Sequence, residues 1–202
     1  TGNNNTAVGY RAGYAVTTGY ENAILGGNAG LALTEGFENT LIGANTAPAL
    51  TTGDFNVAVG SDALGSEDVG RGTTAVGYQA LYNQNSDSND EETGNVAVGR
   101  SAGYNVTTGT SNTLLGRSAG AGLTTGIENV KVGSYAGNQA NQSYLTIIGS
   151  SAGQYSGGNS VHIGRLAGRY MGGIHNVSIG YHAGAYNTNS PGAAGGYNVF
   201  VG

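Results

Sequence analysis

Apolar residues in this chain arrive in bursts of three, most of them opened by asparagine and all closed by glycine. Asn95-Val96-Ala97-Val98-Gly99, Asn112-Thr113-Leu114-Leu115-Gly116 and Asn176-Val177-Ser178-Ile179-Gly180 are examples. The phrase returns twelve times, with closing glycines at Gly9, Gly26, Gly43, Gly60, Gly77, Gly99, Gly116, Gly133, Gly149, Gly164, Gly180 and Gly202. Most steps are 17 residues, with 15 or 16 between Gly133 and Gly180 and two steps of 22. A burst of three with β-branched residues two apart reads as a short strand, because side chains alternate along an extended chain. Glycine recurs too often to leave a run of helix formers. A short, steady period of strands and corners predicts an all-β parallel β-solenoid (a β-roll) of about twelve short coils, each repeat one turn. At ~4.8 Å per coil the rod is on the order of 55–60 Å long. Residues 1–202 form a single solenoid domain, read as a segment of a longer protein, with insertion loops at 83–92 and 187–196 where the two long steps fall.

The polar positions keep phase as strictly as the apolar ones. Asparagine stands four residues before the closing glycine at Asn5, Asn22, Asn39, Asn56, Asn95, Asn112, Asn129, Asn176 and Asn198. Stacked coils place these amides ~4.8 Å apart along the axis, within reach of one another, which predicts a structural asparagine ladder. Alanine stands three residues after the glycine in ten of eleven cases, so two backbone walls approach closely and the core is thin. The β-branched residues two apart, such as Val161 and Ile163, share one packed face, so the residue between them is expected to face outward. That middle position holds Ile24, Leu41, Leu114, Ile147, His162 and Phe200 among others. An apolar stripe along a rod marks association. Three rods around an axis would cover it without an open sheet edge, which predicts a side-by-side homotrimer.

Composition narrows the function. Glycine is 39 of 202 residues and charged residues are 9%, against roughly 25% in ordinary soluble domains. No cysteine is present, so disulfide and thiolate chemistry are excluded. No apolar run reaches the ~18 residues of a membrane-spanning helix, so membrane insertion is not expected. All twelve carboxylates lie at or before Glu128, and only Arg165, Arg169, His175 and His182 and His162 are titratable near neutrality or basic beyond residue 133. Basic clustering of the kind that binds nucleic acid is absent. Acids do not recur in phase, no Gly-Lys-Ser/Thr follows the glycine corners, and the three histidines occupy different repeat phases. The expectation is therefore no cofactor, no metal, no catalytic residue and no enzyme. A narrower possibility is that three copies of an outward His162 meet on a three-fold axis and hold a transition metal. Tyrosine is abundant, with 13 copies. Tyr10, Tyr14, Tyr78, Tyr82, Tyr104 and Tyr181 follow the corners at fixed offsets and form candidate surface-binding patches, since tyrosine gives flat contact area at low entropic cost; corner shielding is the competing role.

The stretch from Asn95 through Gly103 resembles the Ser-Val-Ala-Ile-Gly repeats in the heads of trimeric autotransporter adhesins. The fuller phrase Thr-Thr-Gly-x-x-Asn-Thr-Ala-Val-Gly-Tyr-x-Ala-Gly is similar to repeat regions of phage tail fibres and bacterial surface proteins. The resemblance implies a left-handed β-roll in a homotrimer, located extracellularly, at a cell surface or on a virion. It also implies a structural and adhesive role, with a host-surface glycan or protein receptor as partner. The repeat here is mostly 17 residues, longer than the adhesin repeat. A second reading is a self-assembling extracellular filament whose subunits stack end to end.

Overall fold

The computed structural model describes residues 2–88, 91–186 and 196–202. It contains twelve three-residue strands: β1 (Thr6–Val8), β2 (Ala23–Leu25), β3 (Thr40–Ile42), β4 (Val57–Val59), β5 (Thr74–Val76), β6 (Val96–Val98), β7 (Thr113–Leu115), β8 (Val130–Val132), β9 (Thr146–Ile148), β10 (Val161–Ile163), β11 (Val177–Ile179) and β12 (Val199–Val201). Each strand pairs in parallel with the next in sequence, giving one twelve-stranded sheet in chain order. No helix occurs among the described residues. The chain is a parallel β-solenoid with a period of about 17 residues. Register is constant, middle residue over middle residue, as in Val96↔Thr113, Ala97↔Leu114 and Val98↔Leu115. The two 22-residue steps leave it undisturbed: Thr74 still pairs with Val96, and Val177 with Val199.

Backbone pairing continues around the whole coil. At the Ala-Gly corner Gly103 N–H donates to Ala119 O at 2.9 Å, and at the Thr-Thr corner Thr107 N–H donates to Thr124 O at 2.9 Å. Nearly every coil thus satisfies its buried amides on the coil above, which is what lets so thin a structure stay folded. The closing glycines are required twice over. Gly26 sits at φ 140°, and a Cβ there would lie 2.3 Å from Gly43 O of the next coil. Two further positions per coil take left-handed backbone without glycine, among them Glu21, Ser101, Ser111 and Glu128 at φ between 54° and 59°. Such residues each cost roughly 1–2 kcal/mol against right-handed backbone, and the stacked coils hold them there.

The strands turn the opposite face inward from the one the sequence suggests. Ile24, Leu41, Leu114, Ile147 and His162, expected on an outward stripe, are buried in the core, and Phe200 is half-buried. The β-branched pairs are outside: Val98 is 39% exposed, Ile148 40% and Ile179 41%. The physical reason is width. Beside each strand the interior has room for one large side chain, and the middle strand residue shares that space with the residue four places after the closing glycine; a second large side chain, such as Leu33, Leu50 or Leu123, is buried elsewhere in the same coil. Where the middle residue is large, that partner is small: Ile24 with Gly30, Leu41 with Ala47, Leu114 with Gly120, Ile147 with Gly153. Where the middle residue is Ala58 or Ala75, the partner is Leu64 or Leu81, both fully buried; at Ala97 the partner is Gly103, and Leu81 and Leu114 of the neighbouring coils reach into the space. A Cβ on Gly30 would stand 2.9 Å from Leu41 Cδ1, so the fit is close in the axial direction too. A pair of Val or Ile side chains on one strand could not enter this space together.

Candidate functional surfaces

The inversion creates a broad outer face on the sheet. Its third strand positions, from Val8 to Val201, are Val, Leu or Ile in all twelve strands. Its first positions are Thr or Val, apart from Ala23, and no strand presents a charged side chain outward. Charges flank the face instead. Arg11, Arg100, Arg117 and Arg165 follow the strands within two residues of the closing glycine, while Glu21, Glu38 and Glu128 stand immediately before the ladder asparagines. One edge of the face is therefore rich in arginine and the other in glutamate.

Beneath the face runs a line of buried amides. Asn112 donates from Nδ2 to Asn95 Oδ1 at 3.1 Å and to Gly126 O at 3.0 Å. Its own Oδ1 accepts from Asn129 N at 3.1 Å and Asn129 Nδ2 at 2.8 Å. The same pattern joins Asn5, Asn22, Asn39 and Asn56, and at the far end Asn198 donates to Asn176 at 2.9 Å. The repeat is broken at Thr73, Leu145 and Ser160; at Thr73 the insertion repairs it. Gln84 lies buried in the gap, donating to Glu67 Oε2 at 2.9 Å and Thr73 Oγ1 at 2.9 Å while its Oε1 accepts from Asn95 Nδ2 at 2.9 Å. Glu67 is itself fully buried and accepts from Gly70 N at 2.8 Å and Ser86 N at 3.2 Å. Part of the 83–92 loop is thus a structural plug, a role that a loop rich in Asn, Ser and Asp did not advertise. The 187–196 loop lies outside the described residues except for Gly196.

The core changes character along its length. It is aliphatic from Ile24 to Leu123 and again from Ala136 to Ala152. Between the two clusters lies Lys131, fully buried, its Nζ donating to Ala140 O at 2.6 Å and Gly137 O at 3.2 Å. Loss of hydration by burial lowers its pKa from 10.5 to about 7. His162, two strands on, lies with Nε2 2.8 Å from Ser156 Oγ. The Ser156 hydroxyl donates to Gly157 O at 2.9 Å, so its proton is spent there and His162 Nε2–H is the donor. That leaves His162 Nδ1 a buried acceptor with no partner. Burial pulls the His162 pKa down to about 4. Because His162 faces inward, the arrangement in which three copies meet on an axis and bind a metal does not form. Among the described residues no group of three or more His, Asp or Glu is placed to hold a metal ion.

The six candidate surface tyrosines are not brought together. Tyr10 and Tyr14 belong to the first coil, Tyr78, Tyr82 and Tyr104 to the middle, and Tyr181 to the far end, on the order of 50 Å from Tyr10 at ~4.8 Å per coil. Tyr10, Tyr14, Tyr78 and Tyr181 are exposed. Tyr82 and Tyr104 stack on each other, centroids 5.4 Å apart. In-phase stacking recurs at Tyr20–Phe37, 4.7 Å, and along Tyr155–Tyr170–Tyr186, 5.3 and 5.8 Å. This last column adjoins a second group. Tyr186 lies 6.2 Å from His182, which meets Tyr181 at 4.3 Å. Arg165 stands over Tyr181 and donates to its hydroxyl at 3.2 Å. Arg169 stands over Tyr170 at 5.0 Å and donates to Gln154 Oε1 at 2.9 Å. Compared with protein-family models, with curated proteins and with solved structures, the chain matches none.

Proposed function

We propose that the chain is a structural and adhesive rod, a section of an extracellular or virion fibre that packs side by side with copies of itself, three around an axis. The observation that supports this most is the outward face of the sheet, aliphatic in every strand and free of charge. Eleven inter-strand spacings of ~4.8 Å by about 10 Å of strand give roughly 500 Å² of projected face before the corners are added. Standard stable interfaces bury ~800 Å² per partner, so the packing draws on the flanking corners as well as on the sheet face. A partner that matches it must carry apolar ridges at the same spacing, and a parallel copy does. Parallel packing around an axis also sets the arginine edge of one chain beside the glutamate edge of the next, with Arg11 near the level of Glu21 and Arg117 near that of Glu128. A charge-poor, glycine-cornered rod of this kind holds its ends apart and displays its outer corners, which suits attachment to a host surface.

Light scattering after size exclusion, over a wide concentration range, tests the reading. A constant mass of three 20.1 kDa chains is expected, and Leu115→Glu, which places a carboxylate on the face, should lower it to one chain. A wild-type monomer at all concentrations would overturn the packing, and long polymers would favour end-to-end assembly.

A further inference from the structure

Axial order in a solenoid is chain order, so the absence of carboxylates beyond Glu128 leaves one end of the rod without acids. Glu128 precedes β8, and Arg165 follows β10, two inter-strand spacings or ~10 Å further along. That exceeds the ~8 Å screening length at physiological salt. The two arginines of this end, Arg165 and Arg169, are therefore neutralised by nothing in their own chain. Neutral groups hold them in place: the Tyr181 hydroxyl and the Gln154 amide each take one N–H. A guanidinium has five, so most of the donors on each remain open. Between the arginines the contacts are continuous, from Tyr181 through His182 and Tyr186 to Tyr170.

We propose that this patch, Arg165, Arg169, Tyr181, His182, Tyr186 and Gln154, binds an acidic polysaccharide. The proposal rests on the adhesive reading above and gives that reading a site and a ligand class. The carboxylate or sulfate of a sugar would take paired N–H groups from a pre-placed guanidinium. The pyranose rings would lie against Tyr181 and Tyr186, which are 64% and 67% exposed, with the tyrosine hydroxyls and Gln154 meeting the sugar hydroxyls. Nucleic acid fits less well. Tyr170 has both faces occupied by Tyr155 and Tyr186, which leaves only Tyr181 and Tyr186 for base stacking, short of the successive open platforms that a single strand follows.

The test is affinity electrophoresis of the whole chain through gels containing alginate, dextran sulfate, neutral dextran or polyuridylate. Retardation by alginate, dextran sulfate or both, weakening with salt, is expected. Arg165→Gln with Arg169→Gln should weaken it by at least about tenfold, while Arg71→Gln, away from both the patch and the arginine edge, leaves it within about twofold. Arg165 is exposed and Arg169 half-buried, so the light-scattering mass and melting temperature of each variant are read on the same samples. Unchanged mass with no retardation by either acidic polymer overturns the site and leaves the rod intact. Equal retardation by neutral dextran, stronger retardation by polyuridylate, or full retention in the double arginine variant also overturns it. A monomeric wild type that still binds alginate through these arginines supports the site and removes the trimer instead.

Discussion

Asn112→Ala should cost more stability than almost any other single change in this rod, because the side chain serves four groups at once. Its Nδ2 satisfies Gly126 O and shares Asn95 Oδ1, and its Oδ1 satisfies both the backbone N–H and the Nδ2 of Asn129. Truncation leaves Asn95 Oδ1 still bonded to the Asn112 backbone N–H at 2.9 Å, but orphans two donors and a carbonyl on the coil above. All of this is buried. Each unsatisfied buried group costs about 1–3 kcal/mol, partly recovered as neighbours relax, so the sum is roughly 3–5 kcal/mol. With a urea slope of about 2 kcal/mol/M, the unfolding midpoint falls by about 1.5–2.5 M. Ser111, next in sequence, is exposed and only its backbone is engaged, donating to Thr93 O at 2.8 Å. Ser111→Ala should therefore stay within about 0.5 kcal/mol. Urea titration followed by circular dichroism reads both. A second variant separates hydrogen bonding from lost volume: Asn112→Asp keeps the shape and the acceptor but loses the donor pair, and should be at least as damaging at neutral pH. Equal midpoint shifts for Asn112→Ala and Ser111→Ala, or an aspartate variant as stable as wild type, would refute the ladder as a source of stability.

Three further outcomes are expected. Gly26→Ala places a Cβ 2.3 Å from Gly43 O at φ 140°, whereas Gly27→Ala meets nothing within 4 Å. Thermal melting should show a loss of several kcal/mol, on the order of 3–5, for the first and about 0.5 or less for the second. Burial lowers the Lys131 pKa to about 7 in the folded chain, so the unfolded chain holds the extra proton between about pH 7 and 10.5. Stability should rise with pH across that window, and Lys131→Met should flatten the rise in the melting curve. His162 is likewise depressed, to about 4, so the unfolded chain takes up a proton as pH falls from 6.5. The stability of wild type relative to His162→Gln should fall between pH 6.5 and 4 and level off below; no such change in the difference would show that His162 is hydrated.

Much of the architecture can be read in the sequence because its cause is periodic. A phase-locked asparagine, a burst of three and a glycine that must take positive φ admit few structures other than stacked coils, and the insertions announce themselves as longer steps. Which face of the strand points inward was not legible by the usual rule. Alternation normally puts the more aliphatic side in the core, and by that rule Val161 and Ile163 go in while His162 goes out. The rule assumes a core wide enough for two side chains per strand. Here the corner walls are too close, so one residue enters and the aliphatic pair is left outside. A signal of this was present in the chain. Ala58 and Ala75 are followed six residues later by Leu64 and Leu81, whereas Ile24, Leu114 and Ile147 are followed at the same offset by Gly30, Gly120 and Gly153. Compensation of volume at fixed spacing identifies two positions that share one space, and an outward residue has no reason to compensate. The same logic explains why polar Lys131, His162 and Ser178 can occupy the interior. Each faces a glycine, Gly137, Gly168 or Gly184, and Lys131 and His162 reach a carbonyl or a hydroxyl on a neighbouring corner. The aliphatic side chains left outside by a narrow core line up over twelve strands in constant register, and the proposed side-by-side packing rests on that unbroken face.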